Sequence, residues 1–173
     1  FRRFTRFIKK EKAGENAAVR SLTLRRTPEV AALVFLPGFT GEVATSWDTL
    51  PDILGDEEKL QSWNILGLDL ASSKDFDFRG WDADPDIDVL AQFFRTEMSV
   101  EPFASMKSLA VVAHSMGGLV VQRAILDDTG LATRVSHLVM FGTPSAGVEP
   151  NAMLATLKRQ VADMAVDSPF IKK

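Results

Sequence analysis

Apolar positions along this chain fall into two kinds of run, and their alternation predicts the architecture. Nearly continuous apolar stretches occur at Val30–Leu36, Trp63–Leu70, Leu109–Ala113 and Val135–Phe141. Runs of that length fit strands covered on both faces, as strands of parallel sheets are. Elsewhere the apolar residues are three and four apart, which is the spacing of one helix face. Trp47, Leu50, Ile53 and Leu54 predict an inward face for a helix over 45–60, broken near Pro51. Ile87, Leu90, Ala91, Phe94 and Met98 predict another, with Asp84 as N-cap and Pro85 at its first position. A third helix runs from Ser115 through Val121, Ala124, Ile125 and Leu126, with Gly130 as its stop signal. Asn151 to Val166 places Met153, Leu154, Leu157, Val161 and Met164 on one side of a last amphipathic helix, in the core or in a cap. The first strand is different: Val19–Arg26 alternates around Leu22 and Leu24, an antiparallel pattern that ends before Thr27-Pro28.

Strands alternating with helices imply right-handed crossovers, hence an α/β fold with a mainly parallel sheet and helices on both faces. Ligands of such sheets gather at the carboxyl ends of the strands. Gly38-Phe39, Asp69, Ser115 and Gly142-Thr143-Pro144 lie at such ends and are expected to converge on one rim. At Asp69 the expectation is a helix-capping or loop-pinning carboxylate.

Composition narrows the chemistry. The absence of cysteine from 173 residues excludes a disulfide framework, thiol catalysis and thiolate metal sites. No apolar run has the length of a membrane span, so a cytoplasmic protein is expected. The net charge of −3 hides a basic arm: residues 1–26 carry nine Lys/Arg against Glu11 and Glu15. Phe4, Phe7 and Ile8 are expected to pack there as an edge element; peripheral contact with a membrane surface is the alternative, and no nucleic acid is expected. In the acidic stretch 71–88, Asp75, Asp77, Gly80 and Asp86 fall at calcium-loop offsets. Arg79 occupies a ligand position and the closing Glu is missing, which argues against calcium. No metal and no cofactor are expected.

The chemistry centres on Val112-Ala113-His114-Ser115-Met116-Gly117-Gly118. A serine at a strand-to-helix elbow stands clear of the sheet, and the N–H of the next residue points at whatever the hydroxyl attacks. Small residues must flank it, and Ala113 and Gly117 do. Pro37-Gly38-Phe39-Thr40-Gly41 is either an ordinary tight turn needing positive φ at Gly38 or Gly41, or the place where Phe39 offers an N–H to an oxyanion. The downstream serine favours the second. No Gly-Lys-Ser/Thr follows, so a phosphate loop is excluded. Of the two histidines, His114 adjoins Ser115 and is directed away from it, and His137 is expected to be a buried structural residue.

Four segments, Leu36–Gly41, Trp47 with Leu50-Pro51, Ala113–Gly118 and Phe141–Pro144, together resemble the α/β-hydrolase superfamily. The similarity is to lipase-like serine esterases related to GPI inositol-deacylases and the DUF676 group, and it runs from Val30 to Phe170. It implies an α/β-hydrolase fold and an ester-cleaving enzyme that forms an acyl-enzyme on Ser115. Phe39 and Met116 would supply the oxyanion hole, with Gly38, Ala113, His114, Gly117 and Gly118 supporting the elbow. In such hydrolases the acid and the histidine follow the nucleophile. Both are expected beyond Lys173, with Asp163 or Asp167 as alternatives for the acid. The expectation is therefore one domain, with a basic edge segment over 1–29 and a hydrolase core over 30–173 truncated after its sixth strand. Alone it should be nearly inactive. A small-molecule or lipid ester is the implied substrate, and fused or associated larger domains are possible partners. A non-catalytic interaction or effector module, and a thioesterase or acyltransferase, are the other readings.

Overall fold

The computed structural model describes residues 9–10, 19–38, 41–70, 86–147 and 163–172. The strands are β1 (Lys9–Lys10), β2 (Val19–Arg25), β3 (Ala31–Leu36), β4 (Asn64–Leu70), β5 (Ser108–His114) and β6 (Val135–Phe141). They form one sheet in the order β1-β2-β4-β3-β5-β6. β3 pairs in parallel with β4 and β5, and β5 with β6. β1 and β2 add an antiparallel margin.

Alternation along the central strands divides the core into two layers. Ala32, Val34 and Leu36 of β3, with Leu109, Val111 and Ala113 of β5, face α3 (Ile87–Met98) and α4 (Met116–Asp127). Leu33 and Phe35, with Ala110 and Val112, face the opposite way, toward Val43 and Trp47. These belong to α1 (Val43–Ser46) and its C-cap, followed by α2 (Leu50–Asp56). Helices thus lie on both faces of the sheet, as the alternation predicts. β2 is anchored to this second layer by Arg25, whose guanidinium donates to the carbonyls of Gly55, Leu60 and Trp63.

Several expected details are corrected. The helix expected over 45–60 is broken near Pro51 as expected, at 47–49, and Pro51 lies in the first turn of α2, after Leu50. A proline has no N–H to lose at that place. Ile53, expected inward, is 58% exposed. The N-cap of α3 is Asp86, whose carboxylate accepts from Val89 N at 2.8 Å, and not Asp84. The five expected stripe residues of α3 are all buried. Gly130 stops nothing: Asp128 accepts from Leu131 N at 2.9 Å and opens a further helix, α5 (Thr129–Arg134), that contains it.

The basic arm around Phe4, Phe7 and Ile8, the calcium-loop offsets at Asp75 and Asp77, and residues 151–162 of the helix expected over Asn151–Val166 lie outside the described residues; 164–166 are not helical. Among the described residues no helix is long and apolar enough to cross a membrane. Among them, too, no group of His, Asp and Glu is arranged to hold a metal ion.

Candidate active site

Ser115 occupies the single-residue turn between β5 and α4 with φ 52° and ψ −125°. Side chains with a Cβ rarely adopt that conformation, which costs on the order of 1–3 kcal/mol and persists only when the surroundings over-determine it. Here the neighbours do so. β5 runs parallel to β6 with His114 opposite Phe141, and the next N–H, that of Ser115, donates to Phe141 O at 2.8 Å. On the other side Ser115 O accepts from Gly118 N at 3.1 Å. Because its own N–H is committed to β6, Ser115 leaves Met116, the first residue of α4, to present the next N–H without an intrahelical partner. Met116 itself is buried.

Three glycines let strand ends and helix start meet. A Cβ on Gly38 would lie 2.9 Å from Ser115 Cβ and 2.9 Å from His114 Nδ1. One on Gly117 would lie 2.5 Å from Pro37 O, and one on Gly118 would overlap the Thr143 side chain, 2.7 Å from its Cγ2. The ends of β3, β5 and β6 are therefore locked to the first turn of α4 by close approach of backbone at Gly117 and of the Thr143 side chain at Gly118. Gly38 and Gly41 do not have the positive φ of an ordinary tight turn. What Gly38 requires is space, and Gly41 N closes the turn by donating to Gly38 O at 3.1 Å. Phe39 lies outside the described residues. Ala113, buried in β5, keeps the strand side of the turn small.

An aromatic cluster flanks the serine on the α1 side. Trp47, 8% exposed, stands edge-on to Phe35, Phe141 and His114, with ring centroids 5.4, 5.8 and 6.3 Å away. Its Nε1, like Thr143 Oγ1, is buried and has no hydrogen-bond partner among the described residues. Sequence reading ranked Trp47 only as a core residue and motif marker; its contact with the residue before Ser115 carries no local signal.

The carboxylates and histidines divide clearly. Asp69 lies at the end of β4 and accepts from Val43 N, at the start of α1, at 2.6 Å, the capping role expected of it. Asp163 accepts from Ile87 N at 3.2 Å, and Asp167 pairs with Lys172 at 3.3 Å. His137 is exposed and meets Ser136 Oγ at 3.1 Å, which corrects the expectation of a buried histidine. Its strand parity with Val139 and Phe141 is right, but Val139 and Phe141 are themselves 46% exposed, because the described residues cover that part of β6 only partly, Trp47 against Phe141. Among the described residues neither histidine hydrogen-bonds the Ser115 hydroxyl.

A cavity of about 400 Å³ opens between α4, β6 and the segment 163–172, lined by Leu119, Gln122, Leu138, Ser145, Phe170 and Ile171 among others; Ser115 is not in its lining.

No family model matches the chain, and no curated protein does. Solved structures do match. Aspergillus fumigatus lipase B is 16% identical with a TM-score of 0.63, over 82% of this chain and 32% of that one. Bacillus licheniformis lipase BlEst2 in its mature form is 15% identical with a TM-score of 0.62, over 88% and 62%. The 2-hydroxy-6-oxo-6-phenylhexa-2,4-dienoate hydrolase of Rhodococcus sp. strain RHA1 is 17% identical with a TM-score of 0.58, over 80% and 47%. The chain thus spans less than two thirds of the length of each. At these identities the likeness concerns architecture, and it agrees with the strand order and crossovers described above: the chain has the α/β-hydrolase fold.

Proposed function

We propose that Ser115 is the nucleophile of a serine hydrolase acting on carboxylic esters, lipid esters among them. The observation that carries this is the positive φ of Ser115 at the carboxyl end of β5, maintained by the Phe141 and Gly118 hydrogen bonds. A strained serine at that place in an α/β sheet has a reason to be there only if its hydroxyl must project from the rim. The neighbours described as lipases and hydrolases add support.

In this mechanism Ser115 Oγ attacks the ester carbonyl carbon as its proton passes to a base. The carbonyl oxygen becomes an oxyanion that accepts from Met116 N–H and from the turn at Gly38-Phe39. Collapse expels the alcohol and leaves an acyl-enzyme, which water hydrolyses by the same steps in reverse order. Neither His114 nor His137 is assigned the role of base. Gly38, Ala113, Gly117 and Gly118 hold the strand ends together. A substrate of the kind cut by GPI inositol-deacylases, a cytoplasmic location, and contact of the basic arm with a membrane surface belong to the same proposal.

The test is labelling of the full-length protein with a fluorophosphonate, with Ser115→Ala as control. Labelling that disappears in Ser115→Ala is the expected result; a folded wild-type protein that stays unlabelled overturns the proposal. That second outcome would favour a non-catalytic effector or interaction module, a reading consistent with neither His114 nor His137 hydrogen-bonding the Ser115 hydroxyl among the described residues. Profiling ester, thioester and acyl-acceptor substrates separates hydrolysis of esters from thioesterase or acyltransferase chemistry.

A further inference from the structure

His114 poses a question that the core does not answer. It ends β5, it is exposed, and its burial contributes little to the fold. Yet its ring is fixed from two directions. On one side Nδ1 lies 2.9 Å from where a Gly38 Cβ would be, so the imidazole rests against the backbone of the turn that leaves β3. On the other side the ring stands edge-on to Trp47, at an interplanar angle of 84°. Trp47 in turn is held by Phe35, which is fully buried, and by Phe141, whose carbonyl accepts from Ser115 N.

These contacts close a circuit. The turn starts at Gly38, and α1, which follows it, ends at Trp47. His114 lies between those two points and adjoins Ser115. Gly38 approaches Ser115 Cβ directly, and the imidazole, with the indole as its backstop, holds the turn from beside that contact. From this circuit we infer that His114 is a positioning residue: its ring acts by shape as a spacer between Trp47 and Gly38, and so fixes the oxyanion-side turn relative to Ser115. The inference rests on the proposal that Ser115 is a nucleophile.

Such a spacer matters most when charge develops on the attacked oxygen, since the turn's contribution grows in the transition state. Loss of an oxyanion donor outright costs on the order of 100- to 1,000-fold in rate. A donor turn that remains but is displaced should cost less, roughly 10- to 100-fold.

The experiment compares full-length wild type, His114→Ala, His114→Phe and Trp47→Phe, each checked for folding by thermal unfolding. Reaction with a fluorophosphonate and hydrolysis of a short-chain p-nitrophenyl ester are the two readouts. His114→Ala is expected to lower the second-order labelling rate and kcat by about tenfold or more, with KM changed by no more than about twofold. His114→Phe, which keeps a flat ring against Trp47, is expected to recover most of that loss. Trp47→Phe, with a shorter reach toward His114, is expected to fall between. Labelling of His114→Ala at the wild-type rate overturns the spacer role and leaves the nucleophile standing. A His114→Phe variant as slow as His114→Ala also overturns it, by tying the effect to imidazole chemistry rather than shape. A folded wild type that does not label at all removes the nucleophile, and the spacer role with it.

Discussion

The first turn of α4 touches the end of β3 through Gly117 and Pro37: a Cβ on Gly117 would sit 2.5 Å from Pro37 O. The obstacle is backbone, so it cannot rotate away. Gly117→Ala is expected to destabilise the protein by about 1–3 kcal/mol, the range for overpacking a well-filled site, despite the higher helix propensity of alanine. Urea unfolding measures the loss, and an unchanged midpoint would contradict the contact.

Gly118 meets a side chain instead. Its missing Cβ would overlap Thr143, so Gly118→Ala is also expected to cost about 1–3 kcal/mol. The difference lies in rescue. Thr143→Ala removes Oγ1 and Cγ2 while leaving Cβ, which lies 2.8 Å from the same point. The double variant is expected to recover part of the loss, read as a non-zero coupling in a double-mutant cycle.

Ser115 bears strain that a residue without Cβ would not. Ser115→Gly is expected to raise stability by about 1 kcal/mol, whereas Ser115→Ala keeps the strained Cβ and gains little. Both should abolish fluorophosphonate labelling. Thermal unfolding of the two variants side by side separates strain from loss of the hydroxyl.

The pattern of apolar runs makes β3, β4, β5 and β6 legible because each is long and nearly unbroken. The α3 stripe is equally plain, since Ile87 through Met98 keeps a strict helical spacing. The place of Ser115 also reads directly, as small residues flank one serine between a strand and a helix. Less visible are features that depend on what covers an element. His137 shares a face with Val139 and Phe141 as its parity requires, but parity cannot reveal that the face is only partly covered. Gly130 resembles a stop signal, and only Asp128, three residues before Leu131, hints that a new helix starts there. The crowding at Gly38, Gly117 and Gly118 comes from residues distant in the chain, so the sequence marks the glycines without naming their neighbours.

Arg134 binds the end of α3 and the loop after it, donating to the carbonyls of Met98, Phe103 and Met106 at 2.8, 2.5 and 3.0 Å. Arg134→Met would leave those acceptors without this partner and is expected to cost about 2 kcal/mol or more. Lysine cannot reproduce a planar fork, so Arg134→Lys should recover only a fraction of it. Denaturant unfolding of both variants provides the check.

Glu97, on α3, has its carboxyl pushed above its ordinary value of 4.5 by partial burial. The folded protein therefore holds that proton more tightly than the unfolded chain. The associated stability is complete below pH 4.5 and is lost as pH rises through the raised folded value. Glu97→Gln, neutral throughout, is expected to flatten this slope: similar to wild type in acid and more stable above the window. Melting temperatures across the acid range decide the point.

The central place of β3 has a kinetic consequence. Its pairing with β5 joins residues as remote as Ala31 and Ser108, and closure over so long a stretch is paid in chain entropy before any contact rewards it. The approach of Pro37 to Gly117 exists only after that closure. Hydrogen exchange during refolding should therefore show protection at the start of α4 arriving with the β3–β5 ladder, and not with α4 as an isolated helix.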